Sequence, residues 1–373
     1  MNRLFPVLAV LAALASISGP ACAQKQADGR GLYLAYCAQC HGQNLSGGTA
    51  QSLLDGVWQF GDRRSYIVRN ITYGITHLGM PAFGKSLSGE EIAAVVDYLR
   101  KAETVAGAVK PGIPDRLQTQ DYDMRVETWV EGLEIPWAID FIDHHVALVT
   151  ERPGRLRVVR DGQLDPDPVA GTPPVLSQGQ GGLLDVAVDP AYAETGWIYL
   201  AYSHALPRVE RQERPRSMTR VVRGKLSDNA WTDEHIVYEA PHSTYRTARH
   251  HYGCRIVFDP RGDLFFSIGD RGARDHAQDL GRPNGKVHRV RPDGSVTGDN
   301  PFARKEGALA SIFTTGHRNP QGLAVHPETG AVWASEHGPM GGDELNLLSG
   351  GENYGWPVIT YGRNYNGSVI TDL

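Results

Sequence analysis

The chain has 373 residues, 41% of them hydrophobic and 8% aromatic, with 37 Lys and Arg against 42 Asp and Glu. That is core-forming material for a small domain and a larger one, which excludes a disordered chain, and the formal charge of -5 gives no basic footprint for nucleic acid. Only four cysteines are present, too few and too scattered for a scaffold built on disulfides.

The first feature in chain order is a processing signal. Arg3 supplies a positive start, Val7 to Ala15 is an apolar run, and Ala21-Cys22-Ala23 before Gln24 fits a cleavage site. Residues 1–23 therefore read as a signal peptide and the mature chain as exported, in a bacterial setting to the periplasm. Pro6 and Ser18-Gly19-Pro20 cut the apolar run below the roughly 20 residues a span needs, so no transmembrane anchor is expected. A retained N-terminal helix and a lipidated Cys22 are the competing readings.

Gly29 to Cys37 reads as a short helix that ends on Cys37-Ala38-Gln39-Cys40-His41. Two thiols at this spacing can attack the vinyl groups of one porphyrin while the adjacent imidazole reaches its iron, so the segment is a covalent haem c motif. Zinc, the alternative, calls for further cysteines or histidines at matching spacing, and none is close in sequence. A second axial ligand is expected from Gly79-Met80-Pro81-Ala82-Phe83, where the soft thioether of Met80 on a proline-stiffened loop suits the role. His77 competes for it, and Met80 as simple core filling is the third possibility. Ser88 opens another helix, with Glu91 at its third position and Ile92, Val95, Val96 and Leu99 on one face. Residues 27–102 resemble a class I cytochrome c domain of the small bacterial type, which implies a mostly helical fold around one haem with His41 and Met80 on the iron.

Lys101 to Asp121 carries mixed charge, Gly107, Pro111, Gly112 and Pro114 without an apolar face and reads as a linker, bounded at 103–121. Beyond it the chain is a series of short strands. Ala138–Phe141, Val146–Thr150 and Leu156–Arg160 form a first set, and Leu184–Val188, Trp197–Tyr202 and Thr219–Val222 a second. Arg255–Phe258, Leu264–Ile268 and Lys286–Val290 form a third, while Leu323–Val325 and Ala331–Ser335 begin a fourth. Each unit repeats an apolar strand, a tight turn, a second strand and a loop rich in Gly, Asp or His, the signature of a β-propeller; a β-sandwich is the runner-up. Ring closure calls for more strands than the stretch up to Leu373 holds, so the propeller is expected to be incomplete at its C-terminal side.

Four loops carry the chemistry: Gly179-Gln180-Gly181-Gly182, His250-His251-Tyr252-Gly253-Cys254, Gly316-His317-Arg318-Asn319, and Ser335-Glu336-His337-Gly338-Pro339 followed by Asp343-Glu344. The first three precede the opening strand of a unit, which places them on one rim. An imidazole can remove a hydroxyl proton near neutral pH, and a guanidinium can stabilise charge developing on a carbonyl or quinone oxygen. On residues alone, His251 and Arg318 are as well explained by structural roles, and Gln180 slightly better.

Residues 122–373 resemble the soluble, pyrroloquinoline-quinone-dependent aldose sugar dehydrogenases, also called the glucose/sorbosone dehydrogenase family. That resemblance implies a six-bladed propeller with PQQ at the top of its axis and His251 as the base that takes the sugar hydroxyl proton. It further implies Gln180, Arg318 and Asn319 in the quinone pocket, and an activating calcium on the carbonyls of Gly338 and Pro339. A second calcium is implied at Glu344 and the carbonyl of Tyr354, within Asn353-Tyr354-Gly355-Trp356-Pro357. Two departures concern the base: Cys254 stands where a glycine is usual, and His250 where some relatives carry an acidic residue supporting the base. Asp270 reads as a brace for its loop, and Cys254 as a small buried side chain. The implied function is oxidation of an aldose to a lactone, with electrons passing from PQQ to haem c and on to an external acceptor. A non-catalytic propeller beside a separate electron carrier is the competing class, and another alcohol such as sorbosone is the competing substrate.

Overall fold

Ser88 and Glu91 satisfy each other's backbone: the Glu91 carboxylate accepts from Ser88 N at 2.8 Å and Ser88 Oγ accepts from Glu91 N at 3.2 Å, the reciprocal cap expected of this pair. It opens α4, which runs Gly89–Ala106 and buries Ile92, Val95, Val96 and Leu99 on one stripe, as the periodicity predicts. The computed structural model describes residues 27–58, 60–75, 79–106, 116–208, 214–364 and 368–371, so the expected signal peptide, Cys22 and His77 lie outside the described residues. Two compact units divide the chain, Met1–Pro114 and Asp115–Leu373. No helix among the described residues is long and apolar enough to cross a membrane.

In the first unit, α1 (Gly29–Tyr36) is capped by the Asp28 side chain and leads into α2 (Ala38–His41); α3 (Arg64–Tyr73) follows before α4. At Gly29 a Cβ would lie 2.1 Å from the carbonyl oxygen of Ala94, so only glycine lets α1 approach α4 this closely. Tyr33, Ile67, Ile71, Leu87 and the α4 stripe form one apolar cluster, each large side chain contributing about 1.5–3 kcal/mol by leaving water.

The second unit opens with a hairpin of β1 (Arg116–Gln118) and β2 (Asp123–Arg125). Helix α4 reaching Ala106 and β1 starting at Arg116 place regular structure at both ends of the stretch read as a linker. Four antiparallel meanders follow among the described residues. The first is β3 (Pro136–Phe141), β4 (Val146–Glu151), β5 (Arg155–Arg160) and β6 (Gln163–Leu164); the second is β7 (Leu183–Val188), β8 (Ile198–Ala205), β9 (Ser217–Ser227) and β10 (Ala230–Glu239). The third is β11 (Ile256–Phe258), β12 (Leu264–Ile268), β13 (Lys286–Val290) and β14 (Ile312–Thr314), and the fourth β15 (Pro320–Val325), β16 (Val332–Glu336) and β17 (Glu344–Leu347).

Successive sheets pack face to face. Leu148, Leu156, Val186, Leu200 and Trp231 fill the space between the first and second, Tyr199, Met218, Val221, Ile256 and Phe266 that between the second and third, and Phe265, Val287, Leu323 and Ala334 that between the third and fourth. Sandwiching explains why β7, β8 and β12 read as near-continuous apolar runs and not as alternations: both faces are covered. The opening strands β3, β7 and β15, with the residues leading into β11, converge on a cavity of about 270 Å³ lined by Trp137, Leu184, Gly253, Arg255 and Gln321. This is a propeller-like arrangement. Buried Lys286 on β13 ties the loop that follows β12, its ammonium donating to the carbonyls of His276, Ala277 and Asn284 at 2.8 Å each.

Candidate functional sites

In the helical unit, Cys37 caps α1 and Cys40 and His41 lie in the single turn of α2. Both thiols are free, Cys37 half-buried and Cys40 exposed; burial, then the neighbouring Cys40, pushes the Cys37 thiol up to about 11. His41 Nδ1 donates to the carbonyl of Gln51 at 3.0 Å, which fixes the tautomer and leaves Nε2 as the nitrogen with a lone pair for iron. Met80 packs on the same cluster as Cys37, Leu32, Leu54 and Trp58. Its backbone is pinned by two hydrogen bonds with Ile75, at 2.9 and 3.2 Å. The turn before it requires Gly74, whose φ is +73° and whose Cβ would lie 2.7 Å from the Met80 carbonyl. Two thiols one turn apart, an oriented imidazole and a thioether against one apolar cluster fit a covalent haem.

In the sheet unit, the three loops that precede β7, β11 and β15 meet. The Gln180 amide oxygen accepts from His251 N at 2.7 Å, and Asn319 Oδ1 accepts from Gly253 N at 3.1 Å. His251 Nδ1 is 2.7 Å from Asp270 Oδ1, and Asp270 N donates to the Arg318 carbonyl at 2.8 Å. Gln180, His251, Arg318 and Asn319, all singled out in the sequence, thus belong to one hydrogen-bonded constellation. Its backbone is strained where the side chains converge: His251 and Cys254 have φ of +58° and +91°, a region that costs a residue with a Cβ about 1–3 kcal/mol. Cys254 in a glycine's conformation is buried, its sulfur against Thr219 and the Tyr252 carbonyl, and burial pushes its thiol up to about 12.

The carboxylate beside His251 is that of Asp270, which the sequence reading gives only as a brace for its loop. The His250 ring lies edge-on to His251, centroids 4.5 Å apart, and burial, with His251 and Arg271 nearby, pushes it down to about 4, so it is neutral. Asp270 also braces its loop, accepting from Gly272 N at 2.7 Å, and its second oxygen accepts from Trp356 Nε1 at 2.9 Å. Burial pushes the Asp270 carboxyl up, but the bonds from His251, Gly272 and Trp356 outweigh it and hold the group below the usual range. For His251 burial dominates in the other direction: it holds the imidazole below its ordinary value against the upward pull of Asp270. The result is a neutral imidazole beside a carboxylate, with Nδ1 committed and Nε2 left as the basic nitrogen. Arg271, buried beneath Tyr252 at 3.5 Å from the ring centroid, fastens the base loop by donating to the carbonyls of Ala248 and His250.

Arg318 is nearly buried and donates to the carbonyls of His337 and Gly338 at 2.9 and 2.6 Å. The Gly338 carbonyl, one of the two that the resemblance implies for calcium, is thus already engaged by a cationic donor, the Arg318 guanidinium. Glu344 bonds Asn346, which also bonds Glu336 at 3.1 Å; burial, with Glu336 close by, raises the Glu344 carboxyl. Tyr354 stacks on His317, ring centroids 4.9 Å apart, and its hydroxyl donates to Leu347 O. Among the described residues no group of three or more His, Cys, Asp and Glu is set to hold a metal ion.

Two members of the constellation escape sequence reasoning in their full roles. Asp270 lies 19 residues from His251 and Trp356 lies 86 from Asp270, and no periodicity links them. The only signal is an acidic residue two positions past a strand that is buried along its whole length.

Residues 24–99 match the model described as Cytochrome C oxidase, cbb3-type, subunit III. An aldose sugar dehydrogenase of Escherichia coli is 40% identical over 252 residues, 67% of this chain and 66% of that protein, so the chain spans a little under two thirds of this curated relative. The apo-form structure of the soluble aldose sugar dehydrogenase from Escherichia coli superposes with a TM-score of 0.59 at 41% identity, over 63% of this chain and 67% of that one. The PQQ-bound form of the Streptomyces coelicolor aldose sugar dehydrogenase superposes with a TM-score of 0.51 at 27% identity, over 65% and 68%. With residues 133–373 matching the model for Glucose / Sorbosone dehydrogenase, the chain belongs to that family.

Proposed function

We propose that the protein is an exported, periplasmic quinoprotein dehydrogenase that oxidises the anomeric carbon of an aldose to a lactone and hands the electrons, through its own haem c, to an external acceptor. The observation that carries this reading is the contact of 2.7 Å between His251 Nδ1 and the Asp270 carboxylate, in a family that includes an aldose sugar dehydrogenase and a quinoprotein glucose dehydrogenase. PQQ, when bound, supplies a two-electron acceptor and haem c a one-electron carrier, a division of labour between cofactors. The constellation fits a flat anionic quinone in its donor set: Arg318, Asn319 and Gln180 surround the base loop, and glycines flank it on both sides. A six-bladed ring would complete the propeller.

His251 takes the substrate proton at Nε2 as the neighbouring C–H bond breaks. Asp270 keeps Nδ1 protonated and faces the imidazolium that forms, so charge is created next to an opposite charge already in place. Gln180 fixes the base through its backbone and sets where Nε2 sits. Arg318 provides the nearby positive charge for oxygen-centred charge in the transition state. No step runs through calcium.

The test is spectroscopic. PQQ is added to the full haem-loaded chain, then glucose or another aldose under anaerobic conditions, and the reduced-haem absorption band is followed. Growth of the band with lactone formation is expected; quinone reduction with haem left oxidised would remove the internal relay, and absence of both would remove the dehydrogenase reading.

A further inference from the structure

We propose that Trp356 is a positioning residue for the base: its indole N–H holds the Asp270 carboxylate in the one rotation that presents Oδ1 to His251. This rests on the reading of His251 as the proton acceptor.

The two oxygens of Asp270 have different partners. Oδ1 faces His251 Nδ1 at 2.7 Å and Gly272 N at 2.7 Å, while Oδ2 accepts from Trp356 Nε1 at 2.9 Å. Both side chains are nearly inaccessible, Asp270 at 1% and Trp356 at 5%, so water cannot replace the indole donor without opening the site. A carboxylate turns about its last bond over a broad, low barrier. An oxygen without a donor at this depth drives that rotation, because an unmatched buried charge costs more than a distorted bond.

The indole is enclosed, with its backbone fixed and its ring packed. Trp356 N donates to Gly316 O at 2.9 Å, its carbonyl accepts from Gln278 Nε2 at 2.7 Å, and the guanidinium carbons of Arg318 and Arg274 each lie 5.5 Å from its ring centroid. One side chain therefore touches both the orienting carboxylate of the base and the arginine beside it. Packing alone asks only for a ring of this size; the N–H aimed at Oδ2 is the part that packing does not need.

The measurement is the low-field proton resonance of His251 Nδ1–H in the full haem-loaded chain without quinone, assigned by its loss in His251→Gln. In Trp356→Phe, which keeps a ring and removes the donor, this resonance is expected to shift and broaden. In the quinone-loaded protein kcat is expected to fall about tenfold, the scale of one hydrogen bond to a charged group, with KM within about twofold. A resonance in Trp356→Phe identical to that of the parent overturns the proposal. Should Trp356→Phe lose its folding transition, the Trp356 indole N–H resonance is followed instead in isotope-labelled parent and Asp270→Asn; a shift supports the contact and an unmoved signal overturns it. The resonance needs no quinone, so an inactive parent would remove the proposed function while the fate of the indole contact is still decided.

Discussion

The two units assemble their chemistry in opposite ways. The helical unit concentrates it: Cys37, Cys40 and His41 sit within five consecutive residues on one short helix and the segment before it. The sheet unit disperses it, drawing Gln180, His251, Asp270, Arg318 and Trp356 from loops of three different sheets and from beyond β17. A covalent attachment needs only spacing, so it survives as a word in the sequence. A polar constellation in a buried site needs each hydrogen bond matched by a neighbour, and its members are found only once the sheets are stacked.

This contrast can be broken by substitution, and the largest effect belongs to the concentrated site. Replacing Cys37 and Cys40 together with alanine is expected to abolish covalent haem, read as loss of the haem mass increment in the denatured protein, with the thermal transition of the sheet unit unmoved. His251→Gln follows, with kcat for aldose oxidation expected to fall about 10²–10⁴-fold, the range of a general base, at little change in haem content. The pH profile sharpens the same point. Because burial lowers the His251 value, the imidazole stays neutral to more acidic pH, so kcat/KM should rise with pH through a midpoint below about 6.5 and be level above it. In His251→Gln that limb should be gone.

Next in size is Lys286→Met, which strips two buried carbonyls and a part-buried one of their donor. At about 1–3 kcal/mol for each unsatisfied group, the sheet unit is expected to lose roughly 3 kcal/mol or more in a denaturant titration, with the haem spectrum unchanged. Smallest is Ser88→Ala, which removes one half of the α4 cap and should cost the helical unit about 1 kcal/mol, read from its thermal midpoint alone.

How much was legible follows the same division. The cap and stripe of α4, the haem motif and the Met80 loop could be read residue by residue, since each is local. Inner strands were legible too, because Leu184 to Val188 and Leu264 to Ile268 are buried on both faces. Outer strands were not. In β10 the run Asp233 to Ile236 is exposed, β17 alternates between half-buried and exposed, and β14 has three residues, so none shows an apolar pattern. Helix α3 escaped because only Ile67 and Ile71 are buried among its arginines and polar residues. At the site, His251 was singled out in the sequence and its carboxylate partner was not: Asp270 read only as a loop brace, and the left-handed backbone at His251 brings its imidazole to that carboxylate.

Cys254 gives the molecule an internal clock. Once Cys37 and Cys40 are tied to haem, it is the free thiol remaining among the described residues, shielded from solvent and protonated at any physiological pH. A thiolate-seeking dye can reach it only when the second and third sheets part, so its labelling rate counts openings of the sheet unit without any added probe. The sheet unit would thereby report its own unfolding, while the colour of the proposed haem would report on the helical unit.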